Sequence, residues 1–189
     1  MNTTDRENRR GYVQVYTGNG KGKTTAALGL ALRAAGAGLK VFIAQFLKGR
    51  FTSEVEALKR FEESIVLEQF GTRRWIGQRI QEDDVEEAER GKRRAEEVVR
   101  EGACDVVILD EINVAARYGL VSEQWLLDLI DSRPPHVELV LTGRYAPESV
   151  LARADLVTEM RPVKHYYQDG VPARNGKEND AADATRAHE

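Results

Sequence analysis

Apolar and polar positions follow two rhythms along this chain, and the switches between them mark out its elements. Residues 12–16 form a short β-rich run that ends at a glycine-rich turn. The Ala/Leu-rich stretch 24–35 follows, long enough for a helix, and closes at Gly36 and Gly38. Residues 41–46 and 65–70 are further apolar runs of strand length, with a helix-like segment at 53–61 between them. Segment 81–101 is dense in charge. Its Val85, Ala88, Ala95, Val98 and Val99 give a narrow apolar stripe at helical spacing, the pattern of a solvated outer helix.

Residues 106–109 are continuously β-branched or aliphatic and end in Asp110-Glu111, as a strand buried on both faces of a parallel sheet does. Ser122 is placed to N-cap a helix running to Ile130, and Pro134-Pro135 stops it before the next strand at 137–141. A last helix at 147–153 precedes strand-like 156–160. Strands alternating with helices at this spacing predict an α/β domain with a mainly parallel sheet flanked by helices. Residues 1–10 and 174–189 are polar, lack periodicity, and read as frayed arms.

Composition narrows the possible partners. Among 189 residues, 28 basic and 31 acidic side chains leave a formal net charge of −3, so there is no concentrated basic field for nucleic acid or a membrane surface. With 41% hydrophobic residues the chain can bury a sizeable core, and one compact domain is expected. Cys104 is the sole cysteine, which excludes an intrachain disulfide and a multi-cysteine metal site. The N-terminal stretch has arginines but no apolar segment behind them, and the longest apolar segments are interrupted by Arg33 and Lys40. A cytoplasmic protein without membrane or nucleic-acid partners is the expectation.

The sharpest chemical signal is Thr17-Gly18-Asn19-Gly20-Lys21-Gly22-Lys23-Thr24-Thr25, after the first strand and opening the first helix. That is the context a phosphate-binding Walker A loop requires. The glycines let the backbone turn its N–H groups around phosphate oxygens, and the helix N-terminus adds partial positive charge. Lys23 supplies a cation to the phosphates, and the Thr24 hydroxyl can ligate magnesium. Position 17 departs from the general pattern, which has glycine there. Asp110 and Glu111, at the end of their strand, supply carboxylates at the same sheet edge and can hold magnesium directly or through water. These parts indicate a nucleotide site. They serve kinases, ATPases, motors and switches alike, so the bond that breaks stays open at this level.

Taken with its flanks, the loop resembles that of the P-loop class of ATP:corrinoid adenosyltransferases, which carries Thr-Gly-Asn-Gly-Lys-Gly-Lys-Thr-Thr rather than the general pattern. The likeness continues through Gln45-Phe46-Leu47-Lys48-Gly49, Leu109-Asp110-Glu111-Ile112-Asn113, Leu141-Thr142-Gly143-Arg144, the run from Ala154 to Met160, Val163-Lys164-His165, and Gly170, Ala173 and Gly176. It thus places the domain at 11–178, with a flexible arm over 1–10 and a disordered tail over 179–189.

The resemblance implies a RecA-like P-loop fold, a homodimer, and transfer of the 5′-deoxyadenosyl group of ATP to the cobalt(I) of a corrinoid with release of triphosphate. It also implies that ATP lies reversed in the loop, and that an electron-donor protein such as flavodoxin keeps cobalt reduced. Residues 17–25 and Arg144 become the nucleotide contacts, Lys21, Lys23 and Glu111 the catalytic groups, and Thr24, Glu111 and Asp110 the magnesium ligands. Phe70 and Trp75 become the aromatic face beneath the corrin, although the family's Gly-Phe-Thr-Trp arrangement reads here as Phe70-Gly71-Thr72-Arg73-Arg74-Trp75.

Overall fold

A computed structural model describes residues 9–50, 52–74, 79–174 and 176–177. Its strands are β1 (Val13–Thr17), β2 (Val41–Phe46), β3 (Ile65–Phe70), β4 (Val106–Asp110), β5 (Glu138–Thr142) and β6 (Leu156–Glu159). They form one sheet in the order β3-β2-β4-β5-β1-β6. Every pairing is parallel, so the sheet is more uniform than the mainly parallel one expected. The connections hold helices α1 (Lys23–Gly36), α2 (Ser53–Leu58), α3 (Glu82–Glu101), α4 (Ile112–Arg117), α5 (Glu123–Ser132) and α6 (Glu148–Arg153).

Strand side chains alternate between two buried faces, which is why the central strands read as unbroken apolar runs. Phe42, Ala44, Phe46, Val107, Leu109, Leu139 and Leu141 pack on one face with Ala88, Val98, Ala115, Leu126 and Val150 from α3 to α6. Val41, Ile43, Val106, Ile108 and Val140 meet Ala27, Ala31 and Ala34 of α1 and Leu58 of α2 on the other. The three alanines lie three and four residues apart, on one stripe of α1. Being small, they let the helix that follows the phosphate loop lie close against the sheet.

Helix α3 follows the predicted stripe with one correction: Val85 is 44% exposed, while Gly91 is buried. Gly91 sits over the rings of Phe46 and Phe70, whose centroids are 5.8 Å apart. A Cβ at position 91 would stand 2.7 Å from Phe46 Cε1 and 2.9 Å from Phe70 Cγ. The helix opens with a reciprocal Gln81–Asp84 capping box, and Ser122 caps α5 by accepting from the Trp125 amide at 3.1 Å. Helix α5 runs two residues past Ile130, to Ser132. Helix α1 differs from both. Its N-cap is Gly22, with no side-chain cap and no acid in its first turn. Its first amides therefore face the C-terminal edge of the sheet without a side-chain acceptor.

Candidate nucleotide site

The C-terminal edge gathers most of the sequence-predicted residues, because β1, β5 and β4 are neighbours and each ends there. The phosphate loop leaves β1, Asp110 ends β4, and Arg144 follows β5. Thr17 is the last residue of β1, paired with Glu159, and its carbonyl accepts from the Met160 amide at 2.9 Å. The left-handed turn falls instead on Gly18, at φ 91°, and a second falls on Gly22 at φ 120°. Threonine is tolerated at position 17 because that residue is extended strand. Asn19, Lys21 and Thr25 are exposed at the mouth of the loop.

Lys23 is 6% exposed. Its Nζ donates to the carbonyl oxygens of Gly18 and Gly20, each at 2.8 Å. Burial lowers the pKa of this ammonium, with Glu111 and Asp110 restoring part of the drop and Arg144 adding to it. The lysine is thus curled into the loop it belongs to, held by neutral acceptors that a phosphate can outcompete.

Asp110 is 1% exposed, and both of its oxygens are occupied. Oδ1 accepts from Thr24 Oγ1 at 2.9 Å and from Thr142 Oγ1 at 2.7 Å. Oδ2 accepts from Lys48 Nζ at 2.8 Å and from Gln45 Nε2 at 3.2 Å. Burial pushes the carboxyl's pKa up, but Lys48 and the hydroxyl donors outweigh it and hold it below the ordinary value. Glu111 presents the opposite case. Among the described residues no hydrogen bond or ion pair reaches its carboxylate, and burial together with the Asp110 charge raises its pKa. Its backbone is left-handed, at φ 59°, and its amide donates to Thr142 Oγ1 at 3.0 Å. Leu47 (φ 62°) and Tyr145 (φ 63°) make the same bend just beyond β2 and β5. Positive φ at a non-glycine residue is costly and concentrates at functional sites.

The model of the family described as "ATP:corrinoid adenosyltransferase BtuR/CobO/CobP" matches residues 9–178. The chain belongs to the ATP:corrinoid adenosyltransferase family. It is 35% identical over 170 residues to a corrinoid adenosyltransferase of Pseudomonas aeruginosa, covering 89% of this chain and 84% of the relative. It is 33% identical to one from Escherichia coli K12, covering 90% and 86%, and 36% identical to one from a Sinorhizobium species, covering 89% and 80%. The all-parallel sheet and its loop are accordingly the α/β P-loop fold of an adenosyltransferase, and transfer of an adenosyl group from ATP to a corrinoid is its activity class.

Against that family background, the two aromatic candidates separate. Phe70 is 1% exposed, its ring against Phe46 and beneath the Arg90 guanidinium at 4.4 Å. It lies in the core, packed between its neighbours rather than at the surface. Trp75 lies outside the described residues. His165 accepts from the Tyr167 amide at 3.2 Å and so caps the short turn Tyr166–Asp169, while Lys164 is exposed. Gln45, Lys48 and Thr142 carry no assigned chemistry in the sequence reading, yet all three bind Asp110. The available signal is a polar residue in or just beyond an otherwise apolar strand. No helix among the described residues is long and apolar enough to cross a membrane.

Proposed function

We propose that this adenosyltransferase moves the 5′-deoxyadenosyl group of ATP onto cobalt(I) of a reduced corrinoid and releases intact triphosphate. The cobalt electron pair attacks C5′, a cobalt–carbon bond forms, and the C5′–O bond breaks with its pair leaving on the triphosphate. Cobalt(I) is itself a strong nucleophile, so the chain needs no general base. Its task lies at the leaving group, where charge accumulates. Lys23, Lys21, Arg144 and the amides of residues 18–25 are the groups that meet that charge. The observation that carries the reading is the buried Lys23 ammonium beside an uncapped helix end, a preformed anion seat.

The donor set also fits magnesium. Thr24 directs its proton to Asp110, which leaves its oxygen lone pairs for a cation, and Glu111 is a carboxylate with no other partner among the described residues. Hard oxygen donors few in number suit an ion held jointly with substrate phosphates. Among the described residues no three His, Cys, Asp or Glu side chains gather into a protein-only cage. We assign Thr24 and Glu111 as ligands, with Asp110 one shell behind, positioning Thr24. When bound, magnesium would neutralise part of the triphosphate charge. The domain spans 11–178, with arms at 1–10 and 179–189. We also assign, from the family resemblance, ATP reversed in the loop, a corrin-contact role for Trp75, a cytoplasmic homodimer, and an electron-donor protein such as flavodoxin that keeps cobalt reduced.

The test is an anaerobic incubation with ATP and chemically reduced cobalamin. Equimolar cobalt–carbon product and triphosphate are expected; ADP and phosphate in their place overturn the assignment in favour of a hydrolase or kinase.

A further inference from the structure

Asp110 takes four hydrogen bonds from four separate parts of the chain, and only one of those donors carries charge. Thr24 comes from the start of α1, Thr142 from the end of β5, Gln45 from β2, and Lys48 from the loop after β2. A carboxylate 1% exposed needs a counter-charge as well as hydrogen bonds. Lys48 is the cation in contact with it, at 2.8 Å. Lys23 donates instead to Gly18 and Gly20, so the two lysines have separate tasks.

We propose that Lys48 is a positioning residue of the nucleotide site, acting through Asp110 to hold the Thr24 hydroxyl in its cation-binding orientation. The inference rests on the magnesium assignment made above. Lys48 and Gln45 hold Oδ2, so Oδ1 is turned toward Thr24 and Thr142, and both hydroxyls give their protons to that one oxygen. Thr24 is left with lone pairs and no free proton on its open side. Without the ammonium, Asp110 loses its counter-charge and the anchor of its second oxygen, and the Thr24 rotamer is no longer dictated.

Lys48 is itself fixed with unusual firmness. The preceding Leu47 is left-handed, and its amide donates to the Phe70 carbonyl at 2.8 Å. Gly49 and Gly71 bring two loop backbones into contact beside it: a Cβ on Gly49 would collide with the Gly71 carbonyl, and one on Gly71 would stand 2.5 Å from the Lys48 amide nitrogen. Glu54, in the first turn of α2, lies 3.7 Å from Nζ and accepts from Gln45 at 3.4 Å. Gln45 in turn accepts from Gln69 at 3.0 Å, so the network crosses three adjacent strand ends. An ordinary surface lysine has no such enclosure.

The test compares wild type with Lys48→Met, Lys48→Arg, Asp110→Asn and the Lys48→Met/Asp110→Asn double variant. A fluorescent ATP analogue, titrated at fixed magnesium concentrations and without magnesium, reads affinity separately from turnover. Lys48→Met is expected to weaken magnesium-dependent binding about ten- to a hundredfold, the usual cost of losing a partner behind a metal ligand. Magnesium-free binding should change far less, and Lys48→Arg should recover part of the loss. The double variant should lose much less than the product of the two single losses, because both act through one contact. Equal losses with and without magnesium, multiplicative losses in the cycle, or unaltered magnesium dependence in Lys48→Met would each overturn the proposal. If Lys48→Met fails to fold, the same criteria apply to Lys48→Arg, whose wider guanidinium must displace Oδ2, and wild-type dependence there overturns it. Failure of wild type to form a cobalt–carbon product would indict the assigned function instead.

Discussion

Gly20 donates its amide proton to the carbonyl oxygen of Met160 across 2.6 Å, tying the phosphate loop to the chain that leaves β6. Met160 returns a bond through its own amide to the Thr17 carbonyl, so the loop is gripped at two points. Gly20 does not have a positive φ. Glycine is required there by space: a Cβ would lie 2.7 Å from that Met160 oxygen. Gly20→Ala should weaken ATP binding measured by calorimetry and lower stability by about 1–3 kcal/mol, the usual cost of overpacking. Wild-type affinity in this variant would show that Met160 does not shape the loop.

Lys23 makes its contacts with neutral carbonyls and so is free to turn to phosphate. Lys23→Ala should reduce kcat/KM for ATP about 10²- to 10³-fold, the range for removing one preorganised group from developing negative charge. Steady-state kinetics under anaerobic conditions measure this, and undiminished turnover would remove Lys23 from the mechanism.

At Gly91, two effects oppose each other. Alanine is the better helix former by about 1 kcal/mol, yet its methyl group would overlap the buried rings of Phe46 and Phe70. Both rings are fully buried, so overlap wins, and Gly91→Ala should lower the urea midpoint. A midpoint equal to or above that of wild type would mean that α3 can lift from the sheet at no cost.

Asp84 supplies a pH-dependent term. Burial raises its pKa, but the Thr72 hydroxyl, the Gln81 amide and Arg74 together bring it below the ordinary carboxylate value. A folded pKa below the unfolded one of about 3.9 adds stability above that pH, and the contribution fades as pH falls through the folded value. Asp84→Asn should therefore be less stable by about 1 kcal/mol at neutral pH, from the weakened cap. Melting temperatures across a pH series should converge in acid; a gap that is constant with pH would assign the loss to packing alone.

The parts of the molecule that could be read from the chain are those whose physics is local. Residues 106–109 announce a strand buried on both faces, and Ser122 announces its helix, because each signal lies within a few residues of its effect. The phosphate loop is legible for the same reason. The cluster around Asp110 is not, since Gln45, Lys48, Thr24 and Thr142 meet only after β2, β4, β5 and β1 take their places in the sheet. The burial of Phe70 is equally hard to read, because strand position alone does not say what covers a side chain. The informative residue was Gly91, a glycine inside a long helix that has no local reason to be there.

Leu47, Glu111 and Tyr145 leave three adjacent strands through the same left-handed bend. Each such residue holds on the order of 1 kcal/mol or more of torsional strain. Such strain persists only where the surrounding contacts outweigh it, as the Leu47 amide hydrogen bond to Phe70 and the Glu111 amide hydrogen bond to Thr142 do here. The rim of the sheet is thus built from residues whose backbone is dictated by tertiary contacts rather than by local preference, so its shape depends on the fold beneath it being intact.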